Sequence, residues 1–201
     1  IASSSTYFVP ELEAGKAPER ERMLLEICSQ EVSAFSEFIS DLPMDTILAA
    51  SDKIRRSNRI FIFAHDISKV PGEFLKLRLL ILYYNVILID LSDLEQTQKT
   101  LRKLTEGDLV ILFSFPRYYF PIGNIAKKAS ESGVPILTIT DSDASPAACH
   151  SDLLLICPTS TEMFYNSMTI PIAMLNILAS CLVIDSISPS ERQNFINTLS
   201  S

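Results

Sequence analysis

Glycine is scarce where nucleotide-binding loops need it. The chain has five glycines in 201 residues, and none lies in Ala64-His65-Asp66-Ile67-Ser68, the segment after the first apolar run. A dinucleotide fingerprint requires G-x-G-x-x-G at such a point, because glycines let a pyrophosphate approach the backbone. NAD and FAD are therefore not expected. A Walker loop and G-x-S-x-G are also missing, so the chain is expected to carry no cofactor. Cysteine is equally uninformative as a framework. Cys28, Cys149, Cys157 and Cys181 show no C-x-x-C spacing, and His150 beside Cys149 and Asp152 lacks a second ligand pair. Free thiols in a reducing, cytoplasmic compartment are expected, with no metal.

Positive charge is in deficit, with 17 Lys and Arg against 24 Asp and Glu, a net charge of −7. The basic residues are scattered apart from pairs such as Arg55-Arg56 and Lys127-Lys128, so no face follows a nucleic-acid backbone. A basic, apolar leader is missing too. The opening Ile1-Ala-Ser-Ser-Ser reads as the cut end of a longer polypeptide. Charge is absent altogether from Met168 to Ile184. That run sits at the short end of the membrane-spanning window and holds Pro171, Asn176 and Ser180, so it reads as a buried helix or a subunit interface, with no membrane span.

What is present is 47% hydrophobic sequence, enough for one domain with a sizeable core. Residues 1–16 carry Ser, Pro and Gly without periodicity and predict a tail or linker. Residues 17–57 predict two helices, from Pro18 and from Met44 to Arg56. In the first, Cys28, Val32, Phe35, Ile39 and Leu42 form a narrow apolar seam. It suits either a helix on its own domain's sheet or one that crosses to a partner subunit. Residues 58–186 predict strands at Arg59–Ala64, Val86–Asp90, Leu109–Phe113, Val134–Thr140 and Asp152–Cys157, alternating with helices. The helix after the first strand, to about Tyr84, holds Leu75, Leu77, Leu79, Leu80, Ile81 and Leu82 and reads as buried nearly all round. Capping boxes are expected at Ser92-x-x-Glu95 and at Ser188-Pro-Ser-Glu191, the latter opening a last helix within 187–201.

Leu109 to Phe113 shows no polar alternation, as a strand buried on both faces of a parallel sheet would. Five such strands with intervening helices predict an α/β fold, a three-layer αβα sandwich on a five-stranded, parallel, doubly wound sheet. In the order 2-1-3-4-5, the crevice at the switch point is lined by the loops after the first and third strands. These are Ala64 to Lys69 and Ser114 to Tyr119. His65, Asp66 and Ser68 are three neighbours in one short turn and do not converge as a triad would. Ser68, Ser114, Thr140 with Ser142, and Asn166-Ser167 place hydroxyls and amides at strand ends. Each alone reads as an ordinary N-cap, but the two flanking the crevice favour a phosphate-sized anion.

The runs Gly107 to Tyr119, Glu131 to Ser142, Ser145-Pro146 and Pro158 to Met168 resemble the sugar isomerase (SIS) domain. More narrowly, they resemble the effector domain of RpiR-type bacterial transcription regulators, over about Asn58 to Ile184. Ser68 and Ser114 match the two SIS loops. Ala64 and Asp66 stand where glycines occur, Pro116 and Arg117 replace Ser-Gly, and Tyr119 replaces a final Ser or Thr. The resemblance implies a homodimer that is no enzyme and binds a phosphorylated sugar or sugar acid. DNA would be reached only through a helix-turn-helix domain outside this chain. The expected ligand-binding residues are Ser68, Ser114, Arg117, Tyr119, His65 and Glu162, with none catalytic. Two alternatives stand beside this one: a sugar-phosphate isomerase, with Glu162 or His65 as its base, and a SIS domain kept only for dimerisation.

Overall fold

Five apolar segments pair into one sheet, in strands β1 (Arg59–Ala64), β2 (Val86–Asp90), β3 (Asp108–Ser114), β4 (Ile136–Thr140) and β5 (Leu153–Ile156). The computed structural model describes residues 18–161 and 166–199, so the expected tail at 1–16 lies outside the described residues. All four pairings are parallel, in the order β2-β1-β3-β4-β5 that the pattern predicts. Every residue of the central β3 is buried, which is why its sequence carries no alternation. β4 begins two residues later than expected, after Pro135, which has no N–H to donate, and β5 is one residue shorter than expected at each end.

Helices α1 (Glu19–Ser40), α2 (Met44–Arg56), α3 (Lys69–Ile81), α4 (Leu94–Leu101), α5 (Ile122–Glu131), α6 (Thr169–Ser186) and α7 (Pro189–Leu199) complete the described chain. Ile60, Ile62, Ile111 and Phe113 bury against α2, α3 and α6, while Phe61, Phe63, Val110 and Leu112 bury against α5. Adjacent strand residues thus feed opposite cores, which makes the three layers. Gly72 lets α3 close on the sheet. A Cβ there would lie 3.0 Å from Leu88 Cδ1 and 3.3 Å from Ala64 Cβ.

At the amino edge, the Arg59 guanidinium donates to both carboxylate oxygens of Asp108, at 2.8 and 2.6 Å, and Thr105 adds its backbone N–H at 2.7 Å. Arg59 and Asp108 are register partners of β1 and β3, so this cluster pins the pairing at its start. Burial pushes the Asp108 carboxyl up, and the bonds from Arg59 and Thr105 outweigh it, leaving the group below its ordinary range.

Three expectations need correction. α3 is not buried all round. Leu75 and Leu79, four apart, face the sheet, whereas Leu77 and Ile81 are 58% and 68% exposed. The helix after β2 is capped by Asp93, whose side chain accepts from Gln96 N at 2.9 Å; Ser92 instead donates its backbone N–H to Asp90, which moves the helix start on by one residue. Of the α1 seam, Leu42 just past the helix packs on this domain's core, and the other four residues do not. Cys28, Val32, Phe35 and Ile39 are exposed, and Phe38 is the buried residue of this helix. The second capping box forms as expected, with Ser188 N donating to Glu191 at 2.8 Å and Glu191 N to Ser188 Oγ at 3.3 Å. α6 is long and apolar enough to span a membrane by length and composition alone. Here Met174, Leu175 and Leu178 are fully buried in the core beneath α2 and α3.

Candidate functional site at the switch point

The sheet reverses its winding between β1 and β3, and the two loops that leave there enclose a cavity of about 230 Å³. His65, Asp66, Ser68, Ser114, Arg117, Tyr119 and Asn166 line it. Five of the six expected site residues therefore come together; Glu162 lies outside the described residues. The cavity is smaller than the roughly 300–1,000 Å³ of ordinary small-molecule pockets, a size that suits an anionic head group better than a dinucleotide.

After β1 the chain stays extended at His65, turns left-handed at Asp66 (φ 48°), and passes through a 3-10 turn over Asp66–Ser68 into α3. Ser68 is 5% exposed and its hydroxyl makes no capping hydrogen bond. After β3, Ser114 is 2% exposed. Its carbonyl accepts from Thr140 Oγ1 at 2.7 Å, but its own Oγ has no hydrogen-bond partner among the described residues. His65 Nδ1 is buried in the same condition. Unpartnered buried polar atoms are uncommon and costly, so two of them on one cavity wall point to a polar ligand. The start of α3 adds the positive end of a helix dipole beside them.

The loop from Phe115 to α5 is held at three points. Phe115 is buried in the core, Tyr118 Oη donates to Asp141 Oδ1 at 2.8 Å, and Tyr119 Oη donates to the Leu91 carbonyl at 3.3 Å. The Tyr119 ring lies 4.3 Å from the His65 ring at a 31° tilt. Tyr119 therefore presents its ring to the cavity while its hydroxyl serves the end of the β2 strand. Burial, helped by the bond to Asp141, pushes the Tyr118 phenol up to about 12. Next to the first loop, Lys69 Nζ donates to Asp90 at 2.7 Å, and this bond with the Ser92 N–H holds the Asp90 carboxyl at about 2.

Of the other strand-end residues, Thr140 spends its hydroxyl on Ser114 and Ser142 accepts from Ala144 N at 3.1 Å, so neither lines the cavity. Asn166 does, from a left-handed backbone (φ 67°), with its Oδ1 accepting from Thr159 at 3.2 Å. It stands in sequence among the strand-end polar residues, but only the path of the chain after β5 brings it to a crevice between β1 and β3.

A family model described as the SIS domain matches residues 53–181. No curated protein sequence matches the chain. Among solved structures, the sugar isomerase domain of an RpiR transcription factor from Sphaerobacter thermophilus superposes with a TM-score of 0.76 at 22% identity, covering 89% of this chain and 98% of that one. The Vibrio vulnificus NanR protein complexed with ManNAc-6P gives 0.69 at 15%, covering 92% and 74%. An Escherichia coli CFT073 protein, solved in complex with a ligand, gives 0.67 at 15%, covering 89% and 99%. At such identities these structures share a fold with the chain. The family match spans more than half of the 201 residues, and the chain belongs to the SIS domain family.

Proposed function

We propose that this chain is the phosphosugar-sensing effector and dimerisation domain of a cytoplasmic RpiR-type transcription regulator, reaching DNA only through a helix-turn-helix domain outside this chain. The observation that carries the reading is the Ser114 hydroxyl, buried and unpartnered on the wall of a switch-point cavity beside Ser68. In this reading Ser114 and Ser68 donate to the phosphate, Arg117 supplies a cation, and His65 and Tyr119 pack on the sugar. Glu162 belongs to the same set through the resemblance alone. A neighbour in fold, the Vibrio vulnificus NanR protein, is complexed with ManNAc-6P, which agrees with this assignment.

A sensor must pass ligand occupancy to a second element. Asn166 lines the cavity, and the adjacent Ser167 donates to Glu31 of α1 at 3.4 Å. Residues 58–186 are then the ligand-binding unit, 17–57 the connection to the DNA-binding domain, and 187–201 a closing helix. The exposed apolar faces of α1, α3 and α6 supply the dimer contact.

The isomerase reading has one observation in its favour, the unpartnered His65 Nδ1, since aldose–ketose interconversion needs a general base near the substrate carbon. Calorimetry with hexose, amino-sugar and sugar-acid phosphates, followed by NMR of the recovered ligand, separates the readings. Binding without conversion supports the sensor and conversion supports the isomerase. A dimer that binds none of them leaves the domain a dimerisation module.

A further inference from the structure

Asp66 turns the chain through the left-handed region, which glycine adopts freely and Asp more readily than most other residues. Its φ of 48° lies in the left-handed region, where a side chain costs about 1 kcal/mol relative to glycine. It also brings a carboxylate to the wall of a cavity whose other features favour an anion. Among the described residues no hydrogen bond or ion pair holds that carboxylate. The neighbouring cation, Lys69, feels Asp66 at long range but is bonded to Asp90 at 2.7 Å. Exposed at the cavity wall and bonded to no neighbour, the Asp66 carboxylate is open to a ligand group of opposite charge.

We propose that Asp66 is a specificity-determining residue that selects a sugar phosphate bearing an ammonium group and rejects one bearing a second carboxylate. The inference rests on the reading of the cavity as a phosphosugar site. Ser68, Ser114 and the start of α3 take the phosphate at the strand ends, while Asp66 faces the remainder of the ligand. An ammonium there forms a charge-assisted hydrogen bond and cancels the repulsion between Asp66 and the phosphate. A neutral hydroxyl makes only the weaker bond, and a carboxylate adds a third anionic group beside the phosphate and Asp66.

The test is calorimetric titration of the full chain at pH 7 with glucosamine 6-phosphate, N-acetylglucosamine 6-phosphate, glucose 6-phosphate and 6-phosphogluconate. Glucosamine 6-phosphate should bind roughly tenfold more tightly than glucose 6-phosphate, as one charge-assisted hydrogen bond implies. Acetylation, which removes the charge, should abolish that advantage, and 6-phosphogluconate should bind weakest. Both Asp66→Asn and Asp66→Gly tolerate the left-handed backbone, so folding is not at stake. Each should close the gap between the amino and hydroxyl ligands and raise the affinity for 6-phosphogluconate. Equal binding of the amino and hydroxyl ligands by wild type overturns the specificity and leaves the phosphate site standing. So does a preference that survives in both variants. If wild type binds no sugar phosphate, the reading of the site falls and this inference with it.

Discussion

The Tyr118 hydroxyl donates to Asp141 Oδ1 at 2.8 Å, fastening the loop after β3 to the end of β4. Arg117 and Tyr119 flank this bond in sequence and line the cavity. Tyr118→Phe should leave the fold intact, at a cost of about 1 kcal/mol for one hydrogen bond. It should weaken sugar-phosphate binding more than it weakens stability, because it loosens the loop that carries two site residues. Because the folded state raises the Tyr118 phenol to about 12, its contribution is complete below the ordinary value of 10 and is lost as pH rises through 10 toward 12. Urea midpoints across that range, for wild type and variant, check it.

Ser114→Ala separates binding from stability. Its Oγ has no internal partner among the described residues, so truncation removes a buried unsatisfied atom and should leave the melting temperature unchanged or slightly higher. Affinity for a phosphorylated sugar should drop roughly ten- to a hundredfold, the worth of one hydrogen bond to a charged group. The unphosphorylated sugar should be nearly unaffected. Calorimetry with both ligands reads the difference, and equal losses would move the phosphate elsewhere.

Asp108→Asn should destabilise the chain without touching the site. The carboxylate is fully buried and accepts from Arg59 and Thr105, and an amide sets a donor against those donors. A loss of about 1.5–3 kcal/mol is expected for a hydrogen-bonded charge. In a chain of this size that lowers the melting temperature by roughly 4–10 °C, measurable by calorimetry. An unchanged melting temperature would show that the cluster does not pin β1 against β3.

Phe35 and Ile39 of α1 are 38% and 40% exposed, and α3 and α6 add Leu80, Ile81, Val183 and Ile184. Apolar surface of this extent is covered in most soluble proteins. Sedimentation at micromolar concentration should show a dimer, and the double change Phe35→Glu with Ile39→Glu should shift it toward monomer at unchanged helical content. A monomeric wild type would contradict the assignment.

The Lys69–Asp90 pair gives an acid-side signature. Asp90 is depressed to about 2 from 3.8, so its contribution is present above pH 3.8 and is lost as pH falls from there toward 2. Lys69→Met should return the Asp90 carboxyl toward its ordinary value in an NMR titration and flatten stability against pH in that window. Both partners are partly exposed, so 1 M salt should shrink the effect.

Strand positions and sheet order are legible in the linear pattern because a doubly buried strand is mostly apolar along its middle, and right-handed crossovers leave few ways to join five of them. Leu109 to Phe113 marks the central strand for that reason, and Ser68 and Ser114 fall at the crevice because strand ends are local features. Hydroxyl partners are not local. Whether Thr140 or Ser114 keeps an unspent oxygen depends on which strand lies beside which, and only the β3–β4 register settles that Thr140 donates while Ser114 Oγ does not. Asn166 enters the site by the same long-range route, from a chain that leaves a strand two positions away. The leucines of α3 show the limit from the other side. Hydrophobicity says that Leu77 and Ile81 are apolar, but which face of the helix meets the sheet is decided by packing, and it turns these two outward.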